Sequence, residues 1–460
     1  MSQLVLLGVW IYVLALLAND SRRREGLSLN LWTVALWVAL IGSRPVSTWF
    51  DFGVSGGGQA EAYDEGNPFE RVVYFVLIFH AVWVLLRRGV RVGEVVRNNR
   101  WLFVFFLYWG LSVLWADLPV VALKRWIKDI GNILMVLVVL TEANPSQAVK
   151  AVFARAACVL IPVSFLFIRF FPSLGRTYHV WSGEMMYTGV TTHKNSLGVL
   201  AMVCLLFLVT DFVARLKQPQ RPRWFGLLGD LSLIGLAAWL LLKANSATAM
   251  VCATIGFFLL VVLRSPGIQK KMPALEISFG LLGLLLWATD AINHVARFVV
   301  VDILERDLTL TTRTEVWPML IQRADNPLLG AGFNSFWSGE RLASIYQSLG
   351  IIQAHNGYLE TYLNGGIVAI VLLGFLLLSA GRSINRAIAA GDSDAHIRMA
   401  FFVIAVVYNC TEASFNKIEL LWFAFLIAIV RYPAPLAAVK KLRGHAAVPR
   451  GRPPAATRRA

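Results

Sequence analysis

Apolar runs of roughly membrane-spanning length recur along the chain from Leu4 almost to Val430. A transmembrane helix needs about 20 predominantly apolar residues, and one run after another here meets or approaches that length. Only 15% of the side chains are charged and 57% are hydrophobic, which leaves soluble domains short of surface charge. The sequence therefore predicts a polytopic membrane protein and excludes a single anchor with a large soluble head. We expect no removable signal peptide.

The hydropathy pattern predicts an all-α membrane helix bundle of about 12–13 transmembrane helices, joined by a large extracytoplasmic loop that contains short helices. The predicted spans lie near residues 3–18, 28–42, 72–86, 101–116, 127–141, 150–170, 196–213, 225–242, 246–263, 275–289, 356–380, 399–411 and 418–430. The predicted regions are an N-terminal bundle (1–289), a large periplasmic loop (290–355), C-terminal helices (356–431) and a disordered basic tail (432–460).

The position of the charge matters more than its sum of +16. In a soluble protein such a charge would suggest a nucleic-acid partner. Here 27 of the 43 Lys and Arg residues fall in one set of alternate loops and 14 in the opposite set. Cytoplasmic loops collect Lys and Arg, so the N-terminus is predicted outside, the tail 432–460 inside near anionic headgroups, and the segment 290–355 on the extracytoplasmic face. We expect no nucleic-acid partner.

No cofactor or metal is indicated by the sequence. The four cysteines show no metal-ligand spacing, and Asp392-x-Asp394 falls in a solvated inner loop among arginines. No Walker sequence, dinucleotide fingerprint, HExxH pair or nucleophile elbow is recognisable.

Most of the residues that could carry chemistry lie between Asp290 and Asn356, where a connection of a few residues would suffice. Arg313 and Trp317 fall four apart on one face of a predicted helix. His355 lies just before the next span, where the positive end of a helix favours a neutral, basic imidazole. The alternatives are a histidine with one structural hydrogen bond and an arginine that reaches for headgroups.

A second polar cluster, Thr191 to Ser196, lies at the mouth of another span and by alternation shares the membrane face of His355. It contains His193, Lys194 and Asn195, and Lys243 lies in a very short turn on that face. These cations and imidazoles could converge around one anion. The alternative is ordinary loop polarity.

Three motifs taken together resemble the hallmark region of the O-antigen ligase and Wzy-type polymerase superfamily: Arg313-x3-Trp317, Asn326-Pro327-x2-Gly330-x-Gly332-Phe333-x2-Phe336, and His355-Asn356-x-Tyr358-Leu359-Glu360 followed by Gly365-Gly366. The run from Gly189 to Gly198 further resembles the exopolysaccharide polymerization, ExoQ-like branch. The motifs span about residues 189–366.

This resemblance implies a GT-C-like, multi-pass glycosyltransferase of the bacterial inner membrane with its active site facing the periplasm. The implied donor is an oligosaccharide on a polyprenyl diphosphate such as undecaprenyl diphosphate, and the implied acceptor is a glycan or lipid-linked glycan. The reaction is implied to be inverting and independent of metal and cofactor, with other polysaccharide export proteins as candidate partners.

Residue by residue, the resemblance maps the family's catalytic histidine onto His355 and its diphosphate-binding arginine onto Arg313. Lys194 occupies the place of a second cation, which is Arg in many ligases. We add His193, Asn195 and Lys243 from the polar clusters. Asn356, Trp317 and Tyr358 follow from the motifs as further substrate-binding candidates.

The chemistry of these residue types fits the implied reaction. A departing diphosphate gains charge and needs cations, while a base must take the proton of the attacking hydroxyl. A polymerase of exopolysaccharide repeats is the first hypothesis and an O-antigen ligase acting on lipid A core the second. A transporter of lipid-linked glycan is the third, and it would gain support if the charges within spans, especially Arg155 and Arg169, proved indispensable.

Overall fold

The computed structural model describes residues 2–24, 26–50, 67–178, 183–217, 224–272 and 313–432. The predicted span 275–289, the first part of the predicted loop, and the tail after Tyr432 lie outside the described residues. Within the described part the chain is almost entirely helical, and the β structure there is a single antiparallel pair.

The helices of the first half are α1 (Ser2–Arg23), α2 (Leu31–Ile41), α3 (Val46–Trp49), α4 (Pro68–Arg87), α5 (Val92–Asn98), α6 (Arg100–Ser112), a 3₁₀ turn (Val113–Trp115), α7 (Pro119–Leu140), α8 (Pro145–Phe170) and α9 (Pro172–Gly175). The hairpin strands β1 (Arg176–Tyr178) and β2 (Met185–Tyr187) follow. The remaining helices are α10 (Lys194–Leu216), α11 (Trp224–Ala244), α12 (Ala247–Val262), α13 (Pro266–Met272), α14 (Arg313–Gln322), α15 (Gly339–Leu349), α16 (Gly357–Ala389), α17 (Ala395–Tyr408) and α18 (Leu420–Ile429).

Several helices begin where an asparagine precedes a proline. Asn67 Oδ1 accepts from the backbone of Phe69 at 2.8 Å, and Asn144 Oδ1 accepts from Gln147 at 3.2 Å. Proline follows each of these two caps, where its missing N–H costs nothing. The starts of α4 and α8 are therefore set by local sequence, whereas their length follows the apolar run.

The centre of the bundle consists of α8, α10 and α18. Every residue of α18 is buried, and α10 packs against α8, α11, α12 and α18. Aromatic side chains fill this centre: the rings of Phe153 and Phe207 stack at 3.9 Å, and that of Phe401 lies 4.6 Å from Phe207. The ends of these helices consequently have fixed positions relative to one another.

Six described helices are long and apolar enough to cross a membrane, and seven if α12 and α13, bent by 103°, form one broken span. Each predicted span except 275–289 overlaps a described helix. Four of those helices, α2, α6, α17 and α18, are apolar but shorter than a membrane-spanning helix normally is. The chain is thus a polytopic all-α membrane protein as predicted, while the number of spans stays a prediction.

The described part of the predicted loop, from Arg313 to His355, contains the two short helices α14 and α15. A second, smaller hydrophobic core holds them against the start of α16, with Leu320, Phe336, Ile345 and Leu363 almost fully buried. This part of the loop is therefore folded onto the bundle, although the predicted boundaries of the four regions stay predictions.

A buried group of charges, which we call the Asp20 cluster, joins α1, α8 and α10. It consists of Asp20, Arg24, Arg155, Asp211 and Gln147. Asp20 accepts from Arg24 Nε at 2.6 Å and from Arg155 Nε at 3.1 Å. Arg24 also donates to Asp211 at 2.7 Å. Arg155, one of the two arginines predicted within spans, is thus part of a contact that joins helices.

Candidate functional site

Several chain segments meet at one end of the helix bundle. The helices α10 and α16 begin there, α17 ends there, and the link 409–419 connects α17 to α18. Asp211 lies near the other end of α10, about 24 Å from Asn195 at 1.5 Å per residue. The candidate site and the Asp20 cluster therefore occupy opposite ends of the bundle.

His355 lies in the turn just before α16. Its φ is 51°, in the left-handed region that histidine tolerates better than most residues. The neighbouring Ala354 is held on both sides: its N–H donates to Glu360 Oε1 at 2.7 Å, and its carbonyl accepts from Trp317 Nε1 at 2.9 Å. Glu360 also accepts from Trp337 Nε1 at 2.7 Å. The backbone that carries the imidazole is thus firmly positioned.

The imidazole of His355 is held by Glu412. His355 Nδ1 lies 3.1 Å from Glu412 Oε2, while the other carboxylate oxygen accepts from Asn195 Nδ2 at 2.6 Å. The side chain of Glu412 is 8% exposed and that of His355 is 26% exposed. One carboxylate therefore connects two segments that the sequence separates widely, the predicted Thr191–Ser196 cluster and the predicted catalytic histidine.

The link 409–416 sets the position of Glu412. Asn409 Oδ1 accepts from the backbone of Ser414 and Phe415 at 2.8 and 3.1 Å, which closes a tight turn. The N–H of Gly357 donates to the carbonyls of both Asn409 and Glu412. A Cβ at Gly357 would lie 1.9 Å from Asn409 Oδ1, so glycine is required for this approach.

Gln353 and Lys417 continue the polar chain on the other side of the ring. Lys417 Nζ donates to Gln353 Oε1 at 3.3 Å, and Gln353 Nε2 lies 3.4 Å from His355 Nε2. An ammonium can only donate, so the amide presents its N–H to His355. His355 Nε2 then accepts and Nδ1–H donates to Glu412. In this chain of donors Nε2 is the ring nitrogen that accepts.

The Thr191–Ser196 cluster forms the start of α10. His193 is the N-cap, and its Nδ1 accepts from the backbone of Asn195 at 3.2 Å. Lys194 is the first residue of the helix and half-buried. No hydrogen bond or ion pair of its ammonium occurs with the described residues. Lys194 is thus available to an anion at the same helix end as Asn195.

Arg44 holds this segment in place. Its guanidinium donates to the carbonyls of Leu174 and Gly189, each at 2.6 Å, and to Val190 at 3.2 Å. Burial lowers the pKa of Arg44 from its ordinary value. Because three carbonyls satisfy it, Arg44 positions the cluster rather than binding an anion.

The glycines of the predicted motifs allow the loop segment to pack closely against α16. At Gly366, with φ 63° and ψ −165°, α16 is broken, and a Cβ there would lie 2.2 Å from the carbonyl oxygen of Leu328. The segment Asn326–Gly332 fills the break: the N–H of Gly332 donates to the carbonyl of Asn364 at 2.8 Å, and that of Ile367 donates to Pro327 at 2.9 Å. The loop and the helix thus share backbone hydrogen bonds like neighbouring strands.

Arg313 is the first residue of α14, and its side chain lies outside the described residues. Trp317 follows one helical turn later and reaches the carbonyl of Ala354, next to His355. The structure thus brings the helix that begins at Arg313 to the candidate base.

The remaining candidates have identifiable contacts. Asn356 is the N-cap of α16 and accepts from two backbone N–H groups. The hydroxyl of Tyr358 donates to the carbonyl of Val406 at 2.9 Å. The ammonium of Lys243 lies 5.8 and 5.9 Å from the ring centroids of Tyr187 and Trp239. The contacts of Asn356 and Tyr358 hold the fold of the site, and those of Lys243 are with aromatic rings beside it. Their binding roles stay predictions.

Sequence reasoning missed Glu412, Gln353 and Lys417. Glu412 lies in a short link between two apolar runs, which alternation assigns to the membrane face of His355, and this was the signal that could have identified it. Gln353 and Lys417 are ordinary loop residues by sequence. Among the described residues, no group of three or more His, Cys, Asp or Glu side chains comes together as a metal site would require.

Comparison with known proteins supports the resemblance seen in the motifs. The model of the Wzy_C family, described as O-antigen ligase, matches residues 231–374, a range that includes α14, the broken helix α16 up to its middle, and His355. The exopolysaccharide production protein ExoQ of Rhizobium meliloti is 25% identical over 352 residues, which cover 72% of this chain and 76% of that protein.

The family match includes His355, Trp317 and Glu360 but neither Glu412 nor Asn195, and the similarity to ExoQ extends over most of the chain. The chain is therefore similar to the O-antigen ligase family over residues 231–374 and to an exopolysaccharide production protein over most of its length, which indicates a membrane enzyme of the glycosyltransferase type.

Proposed function

We propose that this enzyme transfers an oligosaccharide from a polyprenyl diphosphate to a sugar hydroxyl at the periplasmic face of the bacterial inner membrane. The product is a lengthened exopolysaccharide chain. The observation that carries the proposal is the pairing of His355 with Glu412 beside the start of α10.

In this mechanism His355 Nε2 takes the proton of the attacking hydroxyl. Glu412 accepts Nδ1–H, which holds the ring in the required tautomer and stabilises the imidazolium that forms. The hydroxyl oxygen bonds to the anomeric carbon as the bond from that carbon to the phosphate oxygen breaks. Attack opposite the leaving group inverts the anomeric configuration, and no metal is needed because the donor is already activated.

The leaving diphosphate takes the electron pair and gains charge. Arg313 supplies a planar donor fork to its oxygens, and Lys194 supplies a point charge. Support comes from the link between Trp317 and Ala354, which brings α14 to the base, and from the absence of a described partner for Lys194. The donor's hydrocarbon tail stays between helices in the membrane.

The periplasmic face is supported by the charge pattern, because the basic loops gather opposite the segment that contains His355. The acceptor is proposed from the relative, whose name associates it with exopolysaccharide production. Polysaccharide export proteins are candidate partners on the same basis. An O-antigen ligase, which would join glycan to lipid A core, is the second candidate because the family description names that activity.

The test is incubation of the purified protein with defined lipid-linked repeats, with and without lipid A core and with a chelator. Lengthened lipid-linked glycan in the presence of chelator is the expected result. Glycan on lipid A core would instead identify a ligase. Absence of any covalent product from folded protein would overturn the proposal.

A further inference from the structure

The basic nitrogen of His355 is already occupied in the resting protein. The amide N–H of Gln353 lies where the proposed mechanism requires the acceptor hydroxyl, 3.4 Å from Nε2. We propose that Gln353 is a removable cap on His355, held by Lys417, which suppresses attack by water on the donor until an acceptor hydroxyl displaces it. This inference rests on the proposed function.

The geometry suits a cap rather than a permanent partner. Both bonds of the amide, 3.3 Å to Lys417 and 3.4 Å to His355, are at the long end of the hydrogen-bond range. Glu412, by contrast, lies 3.1 Å from Nδ1 on the opposite side of the ring and is itself held by a 2.6 Å hydrogen bond from Asn195. The ring is therefore held firmly through Nδ1 and only loosely covered at Nε2.

The backbone between Gln353 and His355 is fixed independently of the Gln353 side chain. Ala354, which lies between Gln353 and His355, is held by Glu360 and Trp317 through its N–H and its carbonyl. The side chain of Gln353 can consequently rotate away without moving the backbone of His355. An arriving sugar hydroxyl can donate to Nε2 in place of the amide, whereas the amide N–H is too weakly acidic to transfer its proton and has no role in the reaction.

Such a cap would prevent a side reaction of the proposed chemistry, the hydrolysis of the donor by water. If water enters first, its oxygen bonds to the anomeric carbon, the bond to the diphosphate oxygen breaks with its electron pair, and the proton goes to Nε2. The products are free oligosaccharide and polyprenyl diphosphate, and an activated donor is lost. With the amide on Nε2, water has no base available, so hydrolysis is slowed more than transfer.

The test uses full-length enzyme and a lipid-linked repeat whose acceptor hydroxyl is methylated, so that the donor cannot serve as its own acceptor. Free oligosaccharide is measured without acceptor, and glycosidic product is measured with an unblocked repeat. The ratio of hydrolysis to transfer within one preparation does not depend on the fraction of protein that is folded.

We expect Gln353→Ala and Gln353→Met to raise this ratio about tenfold, the factor associated with losing one competing hydrogen bond of ordinary strength. Lys417→Ala raises it by less, because the amide keeps its bond to His355. Gln347→Ala, an exposed glutamine on α15, and Lys271→Ala, an exposed lysine on α13, serve as matched controls and leave it unchanged. Adding His355→Ala to Gln353→Ala removes the extra hydrolysis.

An unchanged ratio in both Gln353 variants, with transfer intact, overturns the cap and leaves the proposed function standing. Loss of both hydrolysis and transfer in these variants also overturns it, since Gln353 would then be part of the required machinery. If wild-type enzyme neither hydrolyses nor transfers the donor, the proposed function itself fails and the cap fails with it.

Discussion

Two buried carboxylates at opposite ends of the bundle have similar burial but different partners. Asp20 is fully buried and binds two arginines, and one of these continues to Asp211. Glu412 is nearly as buried but binds an amide and an imidazole that is 26% exposed. A carboxylate between guanidinium groups joins helices, whereas a carboxylate beside a partly open imidazole orients a base.

The buried charges of the Asp20 cluster hold helices together, and we assign them no part in the chemistry. The third hypothesis, a transporter, would gain support if the charges within spans, especially Arg155 and Arg169, were indispensable; the structure shows the contacts of Arg155. Its Nε donates to Asp20, and its guanidinium lies 4.4 Å from the ring centroid of Trp32. These contacts make it an element of helix packing, and the similarity to an O-antigen ligase family favours an enzyme.

The largest effect is expected at the base itself. His355→Ala should lower polymer formation by about 10²–10⁴-fold, the usual contribution of a general base, with insertion into the membrane unchanged. Polymer length on gels and turnover of a defined lipid-linked repeat measure this. His80→Ala, which replaces a histidine on α4 distant in sequence from the site, is the matched control. Polymer of wild-type length from the His355→Ala variant would contradict the proposed mechanism.

Arg313 is next. Arg313→Ala should abolish measurable polymer, with a loss of about 10²–10³-fold, because a donor to developing charge contributes that much in comparable sites. Arg313→Lys should also be poor since it keeps the charge but loses the planar fork. Turnover of the same lipid-linked repeat measures both. Full activity of the lysine variant would mean that charge alone suffices.

Replacing the orienting carboxylate should have a smaller but clear effect. In Glu412→Gln the side chain keeps its size, but it can offer an N–H to Nδ1 and so favour the wrong tautomer; we expect a loss on the order of 10²-fold in kcat. Donor KM should change little. Glu340→Gln, on an exposed residue of α15, is the control. An unaltered kcat would reduce Glu412 to a structural contact.

A substitution in the Asp20 cluster, at the opposite end of the bundle, should lower the stability of the protein rather than its turnover. Asp20→Asn removes the charge that Arg24 and Arg155 share; Arg24 keeps Asp211, but Arg155 loses its carboxylate partner, which costs about 3–5 kcal/mol of folding free energy. Thermal unfolding in detergent measures the loss, and turnover per folded molecule should remain. A large drop in the turnover of folded protein would mean that the Asp20 cluster also contributes to the reaction.

The smallest effects concern the lysines. Lys194→Ala should raise the KM for donor about tenfold, because one cation for the diphosphate is lost. Lys243→Ala should change it by less than about twofold, since its ammonium lies against Tyr187 and Trp239. Initial rates across donor concentrations compare the two. Equal effects would mean that the anion site extends further toward α11 than proposed.

The secondary structure was largely predictable because long apolar runs in a membrane protein form helices that satisfy their own backbone. Lengths were less predictable. α2, α17 and α18 are shorter than a normal span, and α7 contains Lys124, Arg125, Lys128 and Asp129 besides its apolar half. Tertiary packing decides how such helices are covered, and local hydropathy contains no information on it.

The candidate site was predictable in part. His355 and the Thr191–Ser196 cluster were identified from residue type and position, since imidazoles and lysines at helix starts are suited to proton transfer and anion binding. Asn356 was also noticed, but its contacts are those of a helix cap. A residue such as Asn356 can belong both to a functional motif and to a helix cap, and only its contacts in the structure show which of the two it serves.

The sequence by itself determined the class of the protein and its helical character, and it predicted one end of the bundle as the place for chemistry, because hydropathy and charge act locally and along the chain. Only the tertiary structure decided which partner holds His355. Glu412 is 57 positions away along the chain and Asn195 lies 217 positions from Glu412. Contacts between such distant residues depend on how the helices pack, so no local pattern could reveal them.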